Sequence, residues 1–441
     1  MDHLALASGG SAAVTGDVAV LGAGMHPWGK WGRGFTEYGV AAAREALADA
    51  GLDWTRVTLV CGAQTVRGGY PGHVAGAAFA RALGWQGARV SSSYAACASG
   101  AQAVNTARAH ILAGMADVAL VVGADAAPKG FFAPAGGERA DDPDWLRFRI
   151  LGATNPAYFA LYARRRMAVH GDTAEDFALV KVKNAAAGAA NPCARYRRAV
   201  TADEVAASPV VADPLRLLDI CATSDGAAAL VLSSMEFARR HTAHPVWITA
   251  VSTVTPRFPQ TVLELPDFAT DSAAGTDPAA GTGKDGAGTV RTGAVQAGRD
   301  HAGTVHAGTE PDRAGFRASI AAAAYEEAGA GPEDLDLAEV YDLSTALELQ
   351  WYEDIGLCPP GDAARLLREG ATGLGGRIPV NPSGGLASFG EAVPAQAIAQ
   401  VCEAVRQLRG QAGDRQIEGA RVALTANQGL FGHGSSVVVV R

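Results

Sequence analysis

None of the six cysteines pairs as CxxC; Cys61, Cys97, Cys193, Cys221, Cys358 and Cys402 are scattered over 441 residues. That spacing excludes a zinc ribbon and offers no disulfide framework of the secreted kind. No basic stripe runs along the chain and the formal net charge is -8, so nucleic acid and anionic membrane are poor partners. No apolar run approaches the ~18 residues that cross a bilayer, so no membrane span is expected. The N-terminal "MDHLALASGGSAAVTG" lacks the basic and continuous apolar regions of a signal peptide. A reduced, cytoplasmic location is the expectation. Charged residues are only 19% and hydrophobic residues 48%, the composition of a well-packed globular enzyme. The length accommodates two domains, each with its own core.

What is present is alternation. "DVAVLGAG" (17–24) reads as a strand, "YGVAAAREALADAG" (38–51) as a helix and "VTLVCGA" (57–63) as the next strand. After "SSSYAACASG" come the helix "AQAVNTARAHILAG" and the strand "DVALVVGAD" (117–125). Short apolar strands between Ala-rich helices predict an α/β fold. The pattern then recurs: "SIAAAAYEEAGAGPEDLDLAEVYD" (319–342) repeats "GVAAAREALADAGLDWTRVTLVCG" (39–62), with Ala328-Gly329 matching Ala50-Gly51. The helix after Gly100 and its strand are echoed by a helix after Glu391 and the strand "RVALTANQG" (421–429). The period is too long for a solenoid. Two similar halves are predicted, 1–240 and 241–441, with equivalent loops converging on one site. Residues from about 127 to 215 break the alternation and read as an embedded loop subdomain. Residues 271–313 are low-complexity Ala, Gly and Thr, a composition expected of a disordered insertion.

Cys97 is the strongest candidate nucleophile. It stands between a strand and a helix, where the positive end of the dipole and free N–H groups favour a thiolate and could hold an oxyanion. A small buried cysteine at a strand end is the alternative. Aligning the halves puts Glu391 in the place of Cys97, which suggests a catalytic role; a first-turn acid complementing the dipole is the competing reading. Tyr341-Asp342 ends the strand "LDLAEVYD", and strand ends in α/β sheets carry function. Tyr341 could donate a hydrogen bond or a proton, or simply cap the core. Asn427 and His433 lie in the glycine-rich turn "TANQGLFGHGSS", where they could supply an amide donor and a base, or only satisfy the turn. Asp342, Gly384, Gly385 and Gly429 flank these positions and are read as substrate-binding.

Weaker signals are set aside. "GAG" at 22–24 lacks the acidic residue of a dinucleotide fingerprint. His241 and His244 have no third ligand near in sequence, so no metal is expected. Arg164-Arg165-Arg166 could meet a phosphate-rich ligand but reads more simply as a solvated helix face.

The motifs "YAACASGAQAV", "ADPLRLLDICATSDGAAALVL" and "GGRIPVNPSGGL", with the glycine-rich C-terminal turn, resemble thiolases. Within them the match is to the sterol-carrier-protein-x thiolase branch, often labelled lipid-transfer proteins. It extends over nearly the whole chain outside 271–313. The resemblance implies a five-layer αβαβα sandwich of two fused halves, a homodimer, a CoA thioester as substrate and no separate cofactor. It makes Cys97 the nucleophile. With Arg441 directly after the final strand, no separate sterol-carrier domain is expected.

The departures bear on the chemistry. The family's "GHPxGATG" reads "GEAVPAQA" here, so Glu391 stands where the family has histidine; Tyr341 replaces another histidine, and Asn427 matches a position held by a second cysteine or asparagine. An ionised glutamate would raise the pKa of Cys97 and impair thiolysis. Some thiolase-like lipid-transfer proteins are instead retro-aldolases, which resemble this chain in a strand-end tyrosine and "GEA" loop, and which work with a small OB-fold partner. In that chemistry Glu391 or Tyr341 handles the proton, and Asn427 or the N–H at Cys97 holds the thioester oxygen. Three readings result: retro-aldol cleavage of a β-hydroxyacyl-CoA, Cys97-dependent acyl transfer, and a catalytically silent lipid-binding or scaffold subunit.

Overall fold

Strand β1 (Val18–Gly29) runs five residues past the stretch legible in the sequence, because it stays paired with β7 (Asp225–Ser233), across two register shifts, as far as Gly29 opposite Asp225. Helix α1 (Phe35–Asp49) crosses it at close range. A Cβ on Gly24 would lie 2.3 Å from the Ala42 carbonyl oxygen and one on Gly22 2.0 Å from that of Ala46. The Gly and Ala residues of these segments are therefore a packing requirement: nothing larger fits between strand and helix. The computed structural model describes residues 18–127, 155–242, 245–257, 315–429 and 432–441. The insertion at 271–313, His244 and the first part of the expected loop subdomain lie outside the described residues.

The remaining strands are β2 (Leu59–Ala63), β3 (Arg89–Ser93), β4 (Val118–Ala126), a small hairpin β5 (Val210–Ala212) and β6 (Leu215–Arg216), β8 (Val246–Val254), β9 (Leu337–Val340), β10 (Val422–Gly429) and β11 (His433–Val440). The main sheet has nine described strands in the order β3-β2-β4-β7-β1-β8-β11-β10-β9. Its centre is the seam between β1 and β8, antiparallel over only three residue pairs. On either side of that seam the orders mirror each other. β2 runs parallel to β4, and β9 parallel to β10. β4 is antiparallel to β7 and β7 to β1, as β10 is to β11 and β11 to β8. The counterpart of β3 is reduced to one parallel bridge, Val380 opposite Ala338. The duplication inferred from repeated sequence is thus present in strand order, direction and connection.

Helices complete five layers. Helices α1 and α2 (Ala75–Leu83) cover the outer face of the first half, and α5 (Phe316–Ala328) that of the second. Helix α3 (Ser99–Leu112) touches β2, β3 and β4 but also β8 and β11; α7 (Gln396–Leu408) touches β1 and β7 but also β9, β10 and β11. These two equivalent helices form the middle layer. Helix α7 is buried on nearly every side, and its buried Glu403 is met by Arg415 and Gln407, as a charge in such a place must be.

The embedded subdomain, described from residue 155, is built largely of helices. Asn155–His170, α4 (Ala174–Ala189) and Ala202–Ala207 are its helices, the last two started by Thr–x–x–Asp and Thr–x–x–Glu capping boxes at Thr173 and Thr201. Helix α6 (Thr345–Asp354) packs against the first two. Arg166 ties this layer together by donating to Asp172, Gln350 and Glu353.

Candidate active site

The two equivalent chain paths that lead into α3 and α7 meet in the middle of the molecule. On the first, β3 ends at Ser93 and the chain turns through Ala96–Ala98 before α3 begins. Ala96 is held at φ 48°, a left-handed conformation costing a non-glycine residue on the order of 1 kcal/mol. Ser99 enforces it: its hydroxyl accepts from the Ala95 N–H at 2.9 Å and donates to the Ala96 carbonyl at 2.6 Å. Gly429, at the end of β10, presses on the same turn, since a Cβ there would lie 3.1 Å from the Cys97 nitrogen. Gln396 at the start of α7 donates to the Cys97 carbonyl at 3.3 Å.

On the second path the chain runs from Val380 through the turn 381–384 and the short helix Gly385–Phe389 to Glu391. Glu391 does not begin the next helix, which starts five residues later and has no acidic residue in its first turn. That removes the dipole-complementing role. Glu391 is instead extended, in a parallel bridge with Thr223. Its N–H donates to the Ala222 carbonyl at 2.6 Å and its carbonyl accepts from the Ser224 N–H at 2.8 Å. Gly390 makes this possible: its φ is +76°, and a Cβ would lie 2.4 Å from the Ser224 hydroxyl oxygen.

The side chains converge. The Cys97 thiol donates to Glu391 Oε1 at 3.1 Å and the Tyr341 hydroxyl donates to the same oxygen at 3.3 Å. Glu391 Oε2 has no partner among the described residues. Relative exposure is 6% for Cys97, 5% for Tyr341 and 0% for Glu391, so desolvation governs their ionisation. Burial pushes the Cys97 thiol well above the usual range, and the neighbouring Glu391 charge pushes it further. This overrides the thiolate expected from a helix N-terminus. Burial also raises Tyr341 and Glu391; the Arg67 guanidinium and the bond from Cys97 draw Glu391 back down.

Asp342, one residue beyond Tyr341, faces away from this trio. Its Oδ1 accepts from the Leu386 N–H at 2.7 Å, and Oδ2 from the Ala387 N–H and the Asn184 amide, both at 3.1 Å. It anchors the Gly385–Phe389 helix. Gly385 packs on it, since a Cβ would lie 2.4 Å from Asp342 Oδ2; Gly384, at φ +101°, packs on Gly188 of α4. These three shape the loop that presents Glu391. Asn427 donates its amide to Gln400, and its buried Oδ1 has no partner among the described residues. His433 pairs with Gly429 across the β10–β11 turn, and no described hydrogen bond joins it to Cys97, Tyr341 or Glu391.

Arg67 and Asp125 are functional candidates that sequence reasoning missed. Arg67 lies just beyond the carboxyl end of β2 and Asp125 stands at the carboxyl end of β4, the same signal that singled out Tyr341. Among the described residues no group of three His, Cys, Asp or Glu side chains is placed to hold a metal, and no helix is long and apolar enough to cross a membrane.

Relatives agree with this architecture. A family model described as "Thiolase C-terminal domain-like" matches residues 301–441. An acetyl-CoA acetyltransferase of Methanothermobacter thermautotrophicus is 30% identical over 432 residues, covering 96% of this chain and 98% of that one. Sterol carrier protein 2 of Bos taurus is 30% identical over 435 residues, covering 96% of this chain and 71% of its own length. A solved structure named Ltp2-ChsH2(DUF35) aldolase is 26% identical with a TM-score of 0.72, covering 96% of this chain and 97% of that one. Mirrored halves, a buried cysteine on one and a carboxylate in the equivalent place on the other, together with these matches, lead to one assignment: the chain belongs to the thiolase superfamily of acyl-CoA enzymes, in its sterol-carrier-protein-2 thiolase-like branch.

Proposed function

We propose that the protein cleaves a β-hydroxyacyl-CoA by retro-aldol chemistry. The observation that carries the reading is the Glu391 carboxyl: two hydroxyl- or thiol-type donors hold one oxygen, while the second, buried oxygen is left to meet a substrate group. Glu391 takes the proton of the β-hydroxyl. The C–O bond becomes a carbonyl, the Cα–Cβ bond breaks, and its electron pair moves into the thioester as an enolate. The Cys97 N–H at the strained turn is the donor for that thioester oxygen, since the Asn427 amide is already bonded to Gln400. The proton returns to Cα from Tyr341 or the newly protonated Glu391. A ketone or aldehyde and a shorter acyl-CoA leave; no acyl bond to sulfur forms and no free CoA is consumed. A Cys97 thiol held neutral by burial and by Glu391 suits this chemistry better than thiolysis.

The 3.1 Å contact from Cys97 Sγ to Glu391 Oε1 is also the geometry of a thiol beside its base, which supports Cys97-dependent acyl transfer as the second reading. One assay separates them: β-hydroxyacyl-CoA and 3-ketoacyl-CoA substrates, each with and without free CoA. Retro-aldol cleavage predicts turnover of the hydroxy substrate without CoA, retained in Cys97→Ser and reduced about 10²–10⁴-fold in Glu391→Gln. Ketoacyl turnover that needs CoA and vanishes in Cys97→Ala would overturn it.

Two partners belong to the same proposal. A second copy of this chain fits the edge of the sheet: β3 is the terminal strand among the described residues, and Val90 on it and Tyr94 just after it are 45% and 41% exposed. Light scattering of the purified protein should then give twice the chain mass. A second component is suggested by the two-part name of the solved aldolase, and the family resemblance makes it a small OB-fold subunit. Adding such a subunit should raise the cleavage rate.

A further inference from the structure

Just beyond β2 the chain makes the turn Val66–Gly68, with Thr65 as its first cap. Thr65 Oγ1 donates to Asp125 Oδ1 at 2.9 Å, and the Arg67 guanidinium donates to Asp125 Oδ2 at 2.7 Å. Asp125 is fully buried and the Arg67 side chain 23% exposed. The pair lies on the Glu391 side of the molecule. Asp125 sits opposite Gly226 in the β4–β7 register, and three residues upstream of Gly226 is Thr223, the bridge partner of Glu391. A guanidinium cannot shed its proton in such a place, where a lysine ammonium could. Its carboxylate partner fixes where that charge stands.

We propose that Arg67, pinned by Asp125, is a positioning residue that keeps Glu391 able to ionise and act as a base. The inference rests on the retro-aldol reading, in which Glu391 takes the substrate proton. Among the described residues, the following groups bear on Glu391. Cys97 and Tyr341 donate to it as neutral thiol and phenol, and both are pushed upward by burial, as is the nearby Cys221. Asp125 opposes ionisation through its like charge; Arg67 favours it and is the strongest influence counteracting burial. Without the guanidinium a carboxyl this deeply buried would hold its proton to higher pH and cease to accept one from substrate. The same charge also draws the Cys97 thiol down, but there burial and the Glu391 charge outweigh it.

Two readouts test the proposal, one of them independent of turnover. The carboxyl C=O stretch of Glu391, identified in infrared spectra by its loss in Glu391→Gln, is titrated in the wild type, Arg67→Gln and Arg67→Lys. Arg67→Gln keeps a donor to Asp125 while removing the charge; should it not fold, Arg67→Met replaces it. The protonated-carboxyl band should persist to higher pH in the uncharged variant and return toward wild type in Arg67→Lys. In parallel, the acid limb of the pH–rate profile for hydroxyacyl-CoA cleavage should move to higher pH. Activity on that limb should fall about tenfold or more, with a smaller change on the alkaline plateau. An unmoved band overturns the proposal, whatever the activity. A loss of activity that is uniform across pH also overturns it, because that is the signature of a structural or substrate-binding role. A moved band in a protein that cleaves no hydroxyacyl-CoA would leave the Arg67 inference standing and sink the proposed reaction.

Discussion

Cys97 and Glu391 lie 294 residues apart in sequence and 3.1 Å apart in space, thiol to carboxyl. They occupy corresponding places in two copies of one motif, each on the path from one side of the sheet into a middle-layer helix. A negative neighbour in a dry site is the opposite of what a nucleophilic cysteine needs, and the thiol is pushed upward accordingly.

Cys97 should therefore alkylate slowly at neutral pH. In Glu391→Gln the like charge is gone, so the thiolate should form at lower pH and iodoacetamide labelling should accelerate. The check is mass-spectrometric labelling across a pH series. Equal rates in the two proteins would show that Glu391 does not hold the thiol protonated.

Tyr341→Phe deletes one of the two donors to Glu391 Oε1. The loss of a buried hydrogen bond should cost about 0.5–1.5 kcal/mol of stability. Cleavage should slow by about tenfold or more, with a smaller change in KM. Urea melts and steady-state kinetics measure the two effects separately.

Gly390→Ala places a methyl group 2.4 Å from the Ser224 hydroxyl oxygen on a residue at φ +76°. Strain of about 1–3 kcal/mol is expected, together with a shift of Glu391 out of its bridge with Thr223. Activity should fall further than stability does. A variant as active as the wild type would mean that this bridge does not position the carboxyl.

Glu339 and Asp342 are both buried, and burial together with the nearby carboxylates Glu403 and Glu348 pushes each up to about 8. In the unfolded chain such groups titrate near about 4. Between those values the native state holds protons that the unfolded state has released. Stability from this source is full below about pH 4 and is lost as pH rises through about 8. The melting temperature should therefore decline from about pH 6 to about pH 9, and decline less steeply in Asp342→Asn. A melting temperature that climbs over that range would contradict the sign.

The repeated halves were legible because a helix, an Ala-Gly stop and a strand recur with the same spacing, and strand order follows from that repetition. Glu391 was legible as a candidate through the same repetition, Cys97 through its place between a strand and a helix, and Tyr341 through the end of its strand. The start of α7 was not: the Pro394 ring disfavours helical backbone at Val393, and Thr223, far away in sequence, holds Glu391 extended. Asp342 looked like a ligand contact because it ends a strand, yet its oxygens are taken by the backbone of the loop it supports. Arg67 was overlooked because an arginine in a glycine-rich stretch reads as solvated. Only the buried Asp125, brought in by β4, gives it a fixed place.

The β1–β8 seam joins the halves through three residue pairs, while Glu391 depends on backbone partners at Ala222 and Ser224 from the other half. In effect the molecule is a heterodimer on one polypeptide, whose linking peptide serves as a local concentration of each half for the other. Cut between β7 and β8, neither piece would own a complete centre. Each would carry one member of the thiol–carboxyl pair, and activity would become second order in protein.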